Sequence, residues 1–400
     1  MDMALFNSAA AKFRERFGTA PTVAAFAPGR IEVMGNHTDY NEGFVLSASI
    51  NLGTVFLTSA TRGTECTVVA GNTTQEAKFR VDKPEPDKDT PWANYVKGVL
   101  AGLASIKPIH TGFNGLFLSD IPLAAGLSSS AALEISAGLS LSKRYKLTVP
   151  KLDMARIGQK AEHVFVGVKC GLMDQITSLY GKEGGLVMTD FRSLEIRDMA
   201  LNAGTGDEAP CFIVCNTGVK HTLVDSEYNE RRTRCEEAAS FFRSVLPHPV
   251  AMLRDVSWEE WQQFSPKMDA TAAKRAAHVI GENTRVRHGA ELLAEGRLRK
   301  FGELMFESHD SSRKNFENSC VELDFIVDSA MTMPDVSGAR LSGGGFGGCA
   351  IVLTGEATAE ATASALSTAF AARFGRPCDS RIVRPSRGAG MLDTSTGEFR

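Results

Sequence analysis

Pro122-Leu-Ala-Ala-Gly-Leu-Ser-Ser-Ser-Ala-Ala132 is the most informative stretch of the sequence. Gly126 permits a close or left-handed backbone, and the serines stand at the start of a helix predicted over Ala131 to Tyr145. Free N–H groups and the dipole of a helix start make an anion site, and the hydroxyls add donors and a metal ligand. The alternative is a cluster of N-cap serines that only begins the helix. No Walker A sequence is present, because Gly181-Lys182 is followed by Glu183.

Length and charge indicate a two-domain protein that acts on small molecules. The chain has 400 residues and a net charge of −3. Chains this long usually form two cores, so we expect an N-terminal domain over residues 1–205 and a C-terminal domain over 206–400, joined near Asn202 to Asp207. The small net charge argues against bulk attraction to nucleic acid or to an anionic membrane. Any phosphate-bearing ligand must therefore be held by local groups.

The sequence gives no sign of secretion or of a membrane anchor. The first 18 residues read as a polar-faced helix, and no run of about 18 apolar residues occurs. The eight cysteines lack a CxxC or a Cys/His metal spacing, so we expect reduced thiols. We expect a cytoplasmic protein that functions as a monomer.

The order of predicted elements favours an α+β fold. Hairpin-like patterns cover residues 23–57 and 64–81, and helical patterns cover 155–165 and 272–294, among others. The predicted strands follow one another in hairpins, whereas a doubly wound parallel sheet needs strands and helices in strict alternation. A doubly wound sheet is therefore disfavoured.

A second unusual stretch is Gly343-Gly-Gly-Phe-Gly-Gly348. Glycines cost about 0.5–1 kcal/mol each within regular structure, so five of them in six positions imply a loop that needs close backbone approach. The alternative is a merely structural turn. A strand pattern follows the loop where a dinucleotide fold would have a helix, which excludes that fold here.

Two further stretches carry polar groups suited to a sugar and a reaction. Gly29 to Tyr40 combines Arg30, His37 and Asp39 around a Pro-Gly turn, and a polyol needs such donors and acceptors. A polar hairpin tip with structural salt bridges is the alternative. In Cys170-Gly-Leu-Met-Asp-Gln175, Asp174 is either a catalytic base or a buried, hydrogen-bonded carboxylate.

Together these stretches resemble the galactokinases, within the superfamily of homoserine, mevalonate and phosphomevalonate kinases. The resemblance runs over about residues 20–390, with the motifs in family order. Further matching segments are Ala161 to Gln175, Asp190 to Glu195, Ser226 to Arg232, Glu282-Asn283, Glu307 to His309 and Arg340 to Cys349.

The resemblance implies a two-domain α+β kinase fold with the active site in the interdomain cleft. It implies Mg²⁺ held by Ser130 and Glu162, an oxygen set that suits this hard ion. Trp92 matches the adenine-side aromatic, and a core tryptophan is the alternative. The residues implied to bind ATP are Trp92, Ala124, Ala125, Gly126, Leu127, Ser128, Ser129, Ser130, Gly344 and Gly345.

The resemblance also implies the catalytic and sugar-binding residues. Asp174 would take the proton of the anomeric hydroxyl, and Arg30 would neutralise charge on the transferring phosphoryl group. The residues implied to surround the sugar are Asn36, His37, Thr38, Asp39, Gly171 and Tyr228.

Two positions depart from the family pattern. Galactokinases carry Glu where this chain has Asn36, and that Glu accepts a hydrogen bond from the C6 hydroxyl. They usually carry Asn where this chain has Glu32. Asn36 either loosens or redirects recognition at C6, or His37 and water hold the C6 hydroxyl well enough that galactose stays the preferred sugar. Glu32 could replace the missing carboxylate, but strand alternation puts it on the face of Arg30, so we expect Glu32 to pair with Arg30.

The leading interpretation is ATP-dependent phosphorylation of galactose to galactose 1-phosphate and ADP. A kinase for a sugar altered at C6 or C2, such as galacturonate, L-arabinose or N-acetylgalactosamine, is the alternative that Asn36 leaves open. A catalytically silent sugar and ATP sensor is a third interpretation. The presence of Asp174, Arg30, Ser130 and Glu162 argues against it.

Overall fold

The computed structural model describes residues 3–122, 126–201, 209–219 and 224–400, and the expected domain boundary near residue 205 lies outside them. These residues form eleven α-helices and twelve strands. The helices are α1 (Met3–Phe17), α2 (Ala93–Ile106), α3 (Ser129–Arg144), α4 (Lys151–Ala161), α5 (Met173–Tyr180), α6 (Val224–Val245), α7 (Trp258–Phe264), α8 (Ala270–Ala294), α9 (Leu298–Ser311), α10 (Val321–Met331) and α11 (Glu356–Phe374). The strands are β1 (Val23–Met34), β2 (Phe44–Ala60), β3 (Glu65–Ala70), β4 (Gln75–Arg80), β5 (Phe113–Ser119), β6 (Gly185–Asp190), β7 (Glu195–Ala200), β8 (Pro210–Asn216), β9 (Val336–Ser342), β10 (Cys349–Gly355), β11 (Asp379–Val383) and β12 (Gly390–Leu392).

The first sheet has the order β12-β1-β2-β5-β3-β4, and β6 and β7 extend it from β2. Strand β2 can serve both parts because it is 17 residues long. Its residues 44–47 pair with β6, and its residues 54–60 pair with β5. The two faces alternate along β2: Val55 and Leu57 pack in the cluster of α1, whereas Phe56 packs in the cluster of α2 to α5.

The second sheet is antiparallel, with the order β11-β8-β10-β9. Strand β10 is buried on both faces. Ala350 and Val352 pack with α10 and α11, while Ile351 and Leu353 pack toward residues of β1 and β2 such as Ile31. The second sheet therefore shares a core with the first sheet, and the start of the glycine-rich loop is brought next to β1.

Strand β1 carries the first site residues and is irregular where they begin. Its pairing with β2 shifts register between Pro28 and Arg30 and again between Glu32 and Met34. Proline has no N–H to give to a ladder, so a bulge is where a central strand tolerates it. The N–H of Arg30 donates instead to the carbonyl of Leu127 (3.1 Å). This bond ties β1 to the loop before α3.

The predicted α+β class is confirmed by the two largely antiparallel sheets with helices on their faces. The helix predicted over residues 155–165 differs in detail. Helix α4 ends at Ala161, and a π-helical turn follows over Glu162–Val166 until Gly167, whose φ is 92°. Hydrophobic spacing does not distinguish α from π geometry, so this turn could not be predicted from the sequence. In the described ranges, the longest helices are too polar to cross a bilayer.

Candidate active site

A cavity of about 300 Å³ lies between β1, the turn after it, α5, α6 and the glycine-rich loop. It brings together most of the residues that the sequence analysis singled out for sugar binding and catalysis. Those that line it are Arg30, Asn36, His37, Asp39, Gly171, Asp174, Tyr228 and Gly344. Glu32, for which no ligand contact was expected, lines it as well.

Arg30 and Asp174 form a two-pronged ion pair at one side of the cavity. Arg30 Nε and Nη2 donate to Oδ1 and Oδ2 of Asp174, both at 2.8 Å. Arg30 Nη1 donates to the carbonyl of Gly126 (2.7 Å), and the hydroxyl of Ser128 donates to Asp174 Oδ2. Arg30 is buried, whereas the Asp174 side chain is 24% exposed. A planar guanidinium held on three acceptors presents a fixed charge next to a carboxylate that a ligand can reach.

A group of oxygen atoms lies beside this pair, where α3 begins. Ser130 Oγ donates to Glu162 Oε1 (3.1 Å), and Gln175 Nε2 donates to Glu134 Oε2 (3.0 Å). Glu134 Oε1 is buried and accepts no hydrogen bond from the described residues. Burial raises the pKa of Glu162 to about 7, and the charge of Asp174 adds to the shift. A cation would relieve this crowding of carboxylates.

This donor set fits Mg²⁺. Mg²⁺ usually takes one or two carboxylate or hydroxyl oxygens from the protein and keeps waters and substrate phosphates as its other ligands. In the described part of the chain, no three His, Cys, Asp or Glu side chains form a ready-made metal site. The pair Ser130 and Glu162 therefore suits an ion that arrives with a nucleotide.

The turn after β1 places Asn36, His37 and Asp39 in the cavity wall. His37 adopts a left-handed backbone (φ 59°), and its Nδ1 lies 2.8 Å from the Tyr40 hydroxyl. Its Nε2 lies 3.0 Å from the carbonyl of Gly344, so Nε2 carries the proton and Nδ1 accepts. Burial lowers the pKa of His37 to about 4. His37 is therefore neutral at physiological pH, with both ring nitrogens engaged by the protein.

Asp39 stands against Gly171 on the other side of the cavity. Any Cβ on Gly171 would lie 1.5 Å from Asp39 Oδ2, so only glycine fits there. Burial raises the pKa of Asp39 to about 7. Tyr228 closes the same side, with its ring centroid 5.1 Å from that of His37. These residues form a polar wall with an acceptor and a hydroxyl.

Helix α8 holds the turn in place through residues to which the sequence analysis gave no role. The buried Glu282 carboxylate accepts the N–H groups of Gly35 and Asn36, each at 3.0 Å. Burial alone would raise its pKa, but the charge of Arg285 holds the pKa of Glu282 well below the usual range. The pair Glu282-Asn283 resembled the family, yet only the fold shows what it contacts.

The environment of Asn36 and Glu32 corrects one expectation. Glu32 Oε1 accepts from Arg340 Nη1 (2.9 Å) and from Asn36 Nδ2 (2.8 Å). The predicted pairing of Glu32 with Arg30 is therefore wrong, because Asp174 and Gly126 already occupy the Arg30 fork. Alternation along a strand gives the face of a residue, but it does not reveal a competing arginine more than 300 positions away.

Carbonyl groups of the glycine-rich loop accept hydrogen bonds that tie the loop to the turn after β1. The carbonyl of Gly343 accepts from Asn36 Nδ2 (2.8 Å), and that of Gly344 accepts from Asn318 Nδ2 (3.1 Å). The N–H of Phe346 donates to the carbonyl of Asn318 (2.6 Å). A Cβ on Gly345, whose φ is 82°, would lie 2.2 Å from that same oxygen. Close backbone approach, which was expected of this loop, therefore requires glycine at Gly345.

Several expected site residues do not line the cavity. Thr38 is buried, and its hydroxyl lies 2.7 Å from the carbonyls of Gly35 and Phe44, so it holds the turn. Trp92 packs against Phe117 (5.5 Å), and its Nε1 is buried without a partner in the described ranges. Other expected residues outside the cavity lining are Gly126, Leu127, Ser128, Ser129, Ser130, Glu162 and Gly345. Ala124 and Ala125 lie outside the described residues.

Comparison with known proteins agrees with this geometry. The galactokinase galactose-binding signature matches residues 11–60. The N-terminal domain of GHMP kinases matches residues 94–182, and their C-terminal domain matches 290–372. The galactokinase of Mannheimia succiniciproducens is 37% identical over 385 residues, which are 95% of this chain and 97% of that protein. That of Pasteurella multocida is 37% identical over 391 residues, 96% and 99% of the two chains.

Solved structures give the same result. The crystal structure of Lactococcus lactis galactokinase complexed with galactose matches with a TM-score of 0.90 and 33% identity, covering 96% of this chain and 99% of that one. A mevalonate kinase structure at 18% identity shares the fold, with a TM-score of 0.58 over 90% and 98% of the two chains. The expected kinase fold is confirmed. The chain therefore belongs to the galactokinase family of GHMP kinases and is a sugar kinase.

Proposed function

We propose that this protein transfers the γ-phosphoryl group of ATP to the anomeric hydroxyl of galactose, which gives galactose 1-phosphate and ADP. The observation that carries the proposal is the Arg30–Asp174 pair, which stands in the wall of a sugar-sized polar cavity. The likeness to galactokinases over nearly the whole chain supports the choice of galactose.

In this proposal, Asp174 accepts the proton of the anomeric hydroxyl as the oxygen attacks phosphorus. Arg30 stabilises the negative charge on the transferring phosphoryl group. Phosphoryl transfer depends mainly on positioning and charge stabilisation, so a carboxylate and a fixed guanidinium supply most of what the protein must provide. Arg30 reaches the phosphate side because its Nη1 contacts the carbonyl of Gly126, in the loop before α3.

The start of α3 is the proposed phosphate site. Ser128, Ser129 and Ser130 offer hydroxyl groups there, and the first N–H groups of the helix have no partner within the helix. Ser130 and Glu162 would hold Mg²⁺, which neutralises charge on the phosphates when bound. Ala124, Ala125, Gly344, Gly345 and Trp92 remain predicted nucleotide contacts.

Sugar recognition rests on Asp39, Tyr228 and the backbone at Gly171. Asp39 is the strongest acceptor on that wall, because a carboxylate makes charge-assisted hydrogen bonds with hydroxyl groups. His37 shapes the wall and holds Gly344, since both of its ring nitrogens are engaged. A hexose with several hydroxyl groups is the ligand that such a wall suits.

A coupled ADP-release assay tests the proposal. We expect ADP release to require ATP, a divalent cation and galactose, and the product to carry phosphate on C1 by ³¹P NMR. L-Arabinose, galacturonate and N-acetylgalactosamine in the same assay test the alternative substrates. If the protein binds galactose but none of the four sugars stimulates ADP release, the silent sensor is favoured and the proposal is overturned.

A further inference from the structure

One carboxylate in the cavity has an oxygen that no protein group uses. Glu32 lines the cavity and is 4% exposed. Both of its side-chain hydrogen bonds, from Arg340 Nη1 and from Asn36 Nδ2, go to Oε1. Oε2 accepts none from the described residues. A carboxylate oxygen of a largely buried residue that lines a ligand cavity and has no donor is an open acceptor, because the polar groups of buried residues are nearly always paired.

The amide next to it is already held by the protein at both of its polar atoms. Asn36 is fully buried, and Nδ2 gives its two hydrogens to Glu32 Oε1 and to the carbonyl of Gly343, each at 2.8 Å. Asn36 Oδ1 accepts from Asn318 Nδ2 (2.9 Å). A ligand acceptor would have to displace one of the two Nδ2 contacts, and a ligand donor would have to share Oδ1 with Asn318. At this end of the cavity, Glu32 is therefore the side chain free to bind a ligand.

Glu32 is also fixed in place. Arg340 is fully buried, and its Nη1 contacts both the carboxylate (2.9 Å) and the backbone carbonyl of Glu32 (3.2 Å). The N–H of Glu32 donates to the hydroxyl of Ser342 (2.9 Å). Burial raises the pKa of the Glu32 carboxyl, and the charge of Arg340 opposes that rise by favouring the ionised form. The several contacts hold the carboxylate in one orientation.

Its position relative to the reacting groups suggests which part of the substrate it contacts. Arg30 and Glu32 are two residues apart on β1 with continuous pairing to β2, so both side chains leave the same face about 6.6 Å apart. With the anomeric oxygen at Asp174, the far side of a hexose ring points along β1 toward Glu32.

We propose that Glu32 determines sugar specificity by accepting, through Oε2, a hydrogen bond from a hydroxyl at C4 or C6 of the substrate. This inference rests on the proposed function and extends it to specificity. It replaces the expectation that Asn36 reads this end of the sugar. A carboxylate there also repels a substrate with a negative charge at C6.

The test compares kcat/KM for galactose, 4-deoxygalactose and 6-deoxygalactose in the wild type and in Glu32→Gln. Loss of a charge-assisted bond should lower kcat/KM for galactose about tenfold. The deoxy sugar that lacks the contacted hydroxyl should change by no more than about twofold, because it never made that bond. Equal losses on all three sugars would overturn the inference.

Two further variants separate specificity from structure. Glu282→Gln removes another buried carboxylate, which supports the turn but does not line the cavity. We therefore expect this variant to lower kcat/KM for all three sugars by the same factor. Glu32→Gln/Arg340→Met removes both charges and avoids leaving a buried arginine unpaired. It should show the sugar selectivity of Glu32→Gln, and wild-type selectivity in this variant would contradict the inference.

Wild-type turnover of galactose tests the proposed function separately. If the wild type fails to turn over galactose, the proposed function fails. The role of Glu32 is then tested by calorimetry, which compares the affinities of the wild type and of Glu32→Gln for the three sugars. An affinity of Glu32→Gln for galactose equal to that of the wild type would overturn it.

Discussion

At the scale of single residues, the pair Arg30–Asp174 is the part of the site on which the proposed reaction depends most directly. Asp174→Asn keeps the shape of the side chain but cannot accept a proton. Asp174→Asn takes the charged partner from buried Arg30, so the melting temperature should fall while the fold is kept. We expect galactose binding to stay near wild type and turnover to fall by about 10²–10⁴-fold, the usual contribution of a general base. Single-turnover kinetics and calorimetry measure the two effects. A rate within a few-fold of wild type would show that Asp174 is structural.

Arg30→Lys provides the complementary residue-scale variant. Lysine keeps the positive charge, but it lacks the planar fork that contacts both oxygens of Asp174 at 2.8 Å and the carbonyl of Gly126. We expect turnover to fall at least about tenfold, with a smaller change in galactose affinity. Wild-type turnover would indicate that a positive charge alone is sufficient.

Asp39 predicts a pH dependence of sugar binding. Burial raises its pKa to about 7, so Asp39 becomes ionised as pH rises through 7. Only the ionised form accepts charge-assisted hydrogen bonds, so galactose affinity should increase from pH 6 to pH 8. Calorimetry without ATP and Mg²⁺ measures this, and His37, with a pKa of about 4, does not titrate in that range. Asp39→Asn should remove the pH dependence; an unchanged slope would assign it to another group.

At the scale of elements, the glycine-rich loop offers a matched pair of substitutions. Gly345 has a φ of 82°, and a Cβ there would lie 2.2 Å from the carbonyl of Asn318. The nearest atom to a Cβ on Gly344 would be 3.7 Å away, an ordinary contact. Residues forced into such backbone conformations cost about 1–3 kcal/mol. We expect Gly345→Ala to raise the KM for ATP at least about fivefold and Gly344→Ala to change it little. Equal effects would mean that the loop adapts to both.

Regular strands and long helices could be predicted from the sequence, because their signals are local. Successive side chains of strand β10 pack alternately into two cores. The Gly343–Gly348 loop is recognisable from its high glycine content. The π-helical turn at Glu162 and the eight-residue helix α5 could not, since neither has a distinctive hydrophobic period.

The site was predictable only in part for a similar reason. Most cavity residues come from motifs that can be read in sequence, but their hydrogen-bond partners lie far along the chain. Asn318 lies 282 positions from Asn36 and donates a hydrogen bond to its side-chain oxygen. Arg340 lies 308 positions from Glu32 and forms an ion pair with its carboxylate. Tertiary packing decides such partners, so Asn36 was expected to face the ligand although the protein occupies all of its polar atoms.

At the scale of the whole molecule, the turn after β1 and the glycine-rich loop are joined by hydrogen bonds into one connected structure. Asn36 Nδ2 donates to the carbonyl of Gly343 (2.8 Å), and His37 Nε2 lies 3.0 Å from that of Gly344. Asn318 contacts both sides, at Asn36 Oδ1 and at the Gly344 carbonyl. A ligand that orders the turn should therefore order the loop as well.

This connection predicts cooperative binding of sugar and nucleotide. We expect galactose to increase the affinity for a non-hydrolysable ATP analogue at least about fivefold, and the analogue to increase galactose affinity by the same factor, since thermodynamic coupling is reciprocal. Asn318→Ala removes one amide that joins the two segments but keeps the backbone carbonyl that holds Phe346. The coupling should therefore weaken, while the direct bonds from Asn36 and His37 to the loop remain. Ser319→Ala is the control, because that hydroxyl contacts Asp324 instead (2.6 Å). Calorimetry of each ligand with and without the other measures the factor. Coupling of wild-type size in Asn318→Ala would mean that the Asn318 amide does not carry it.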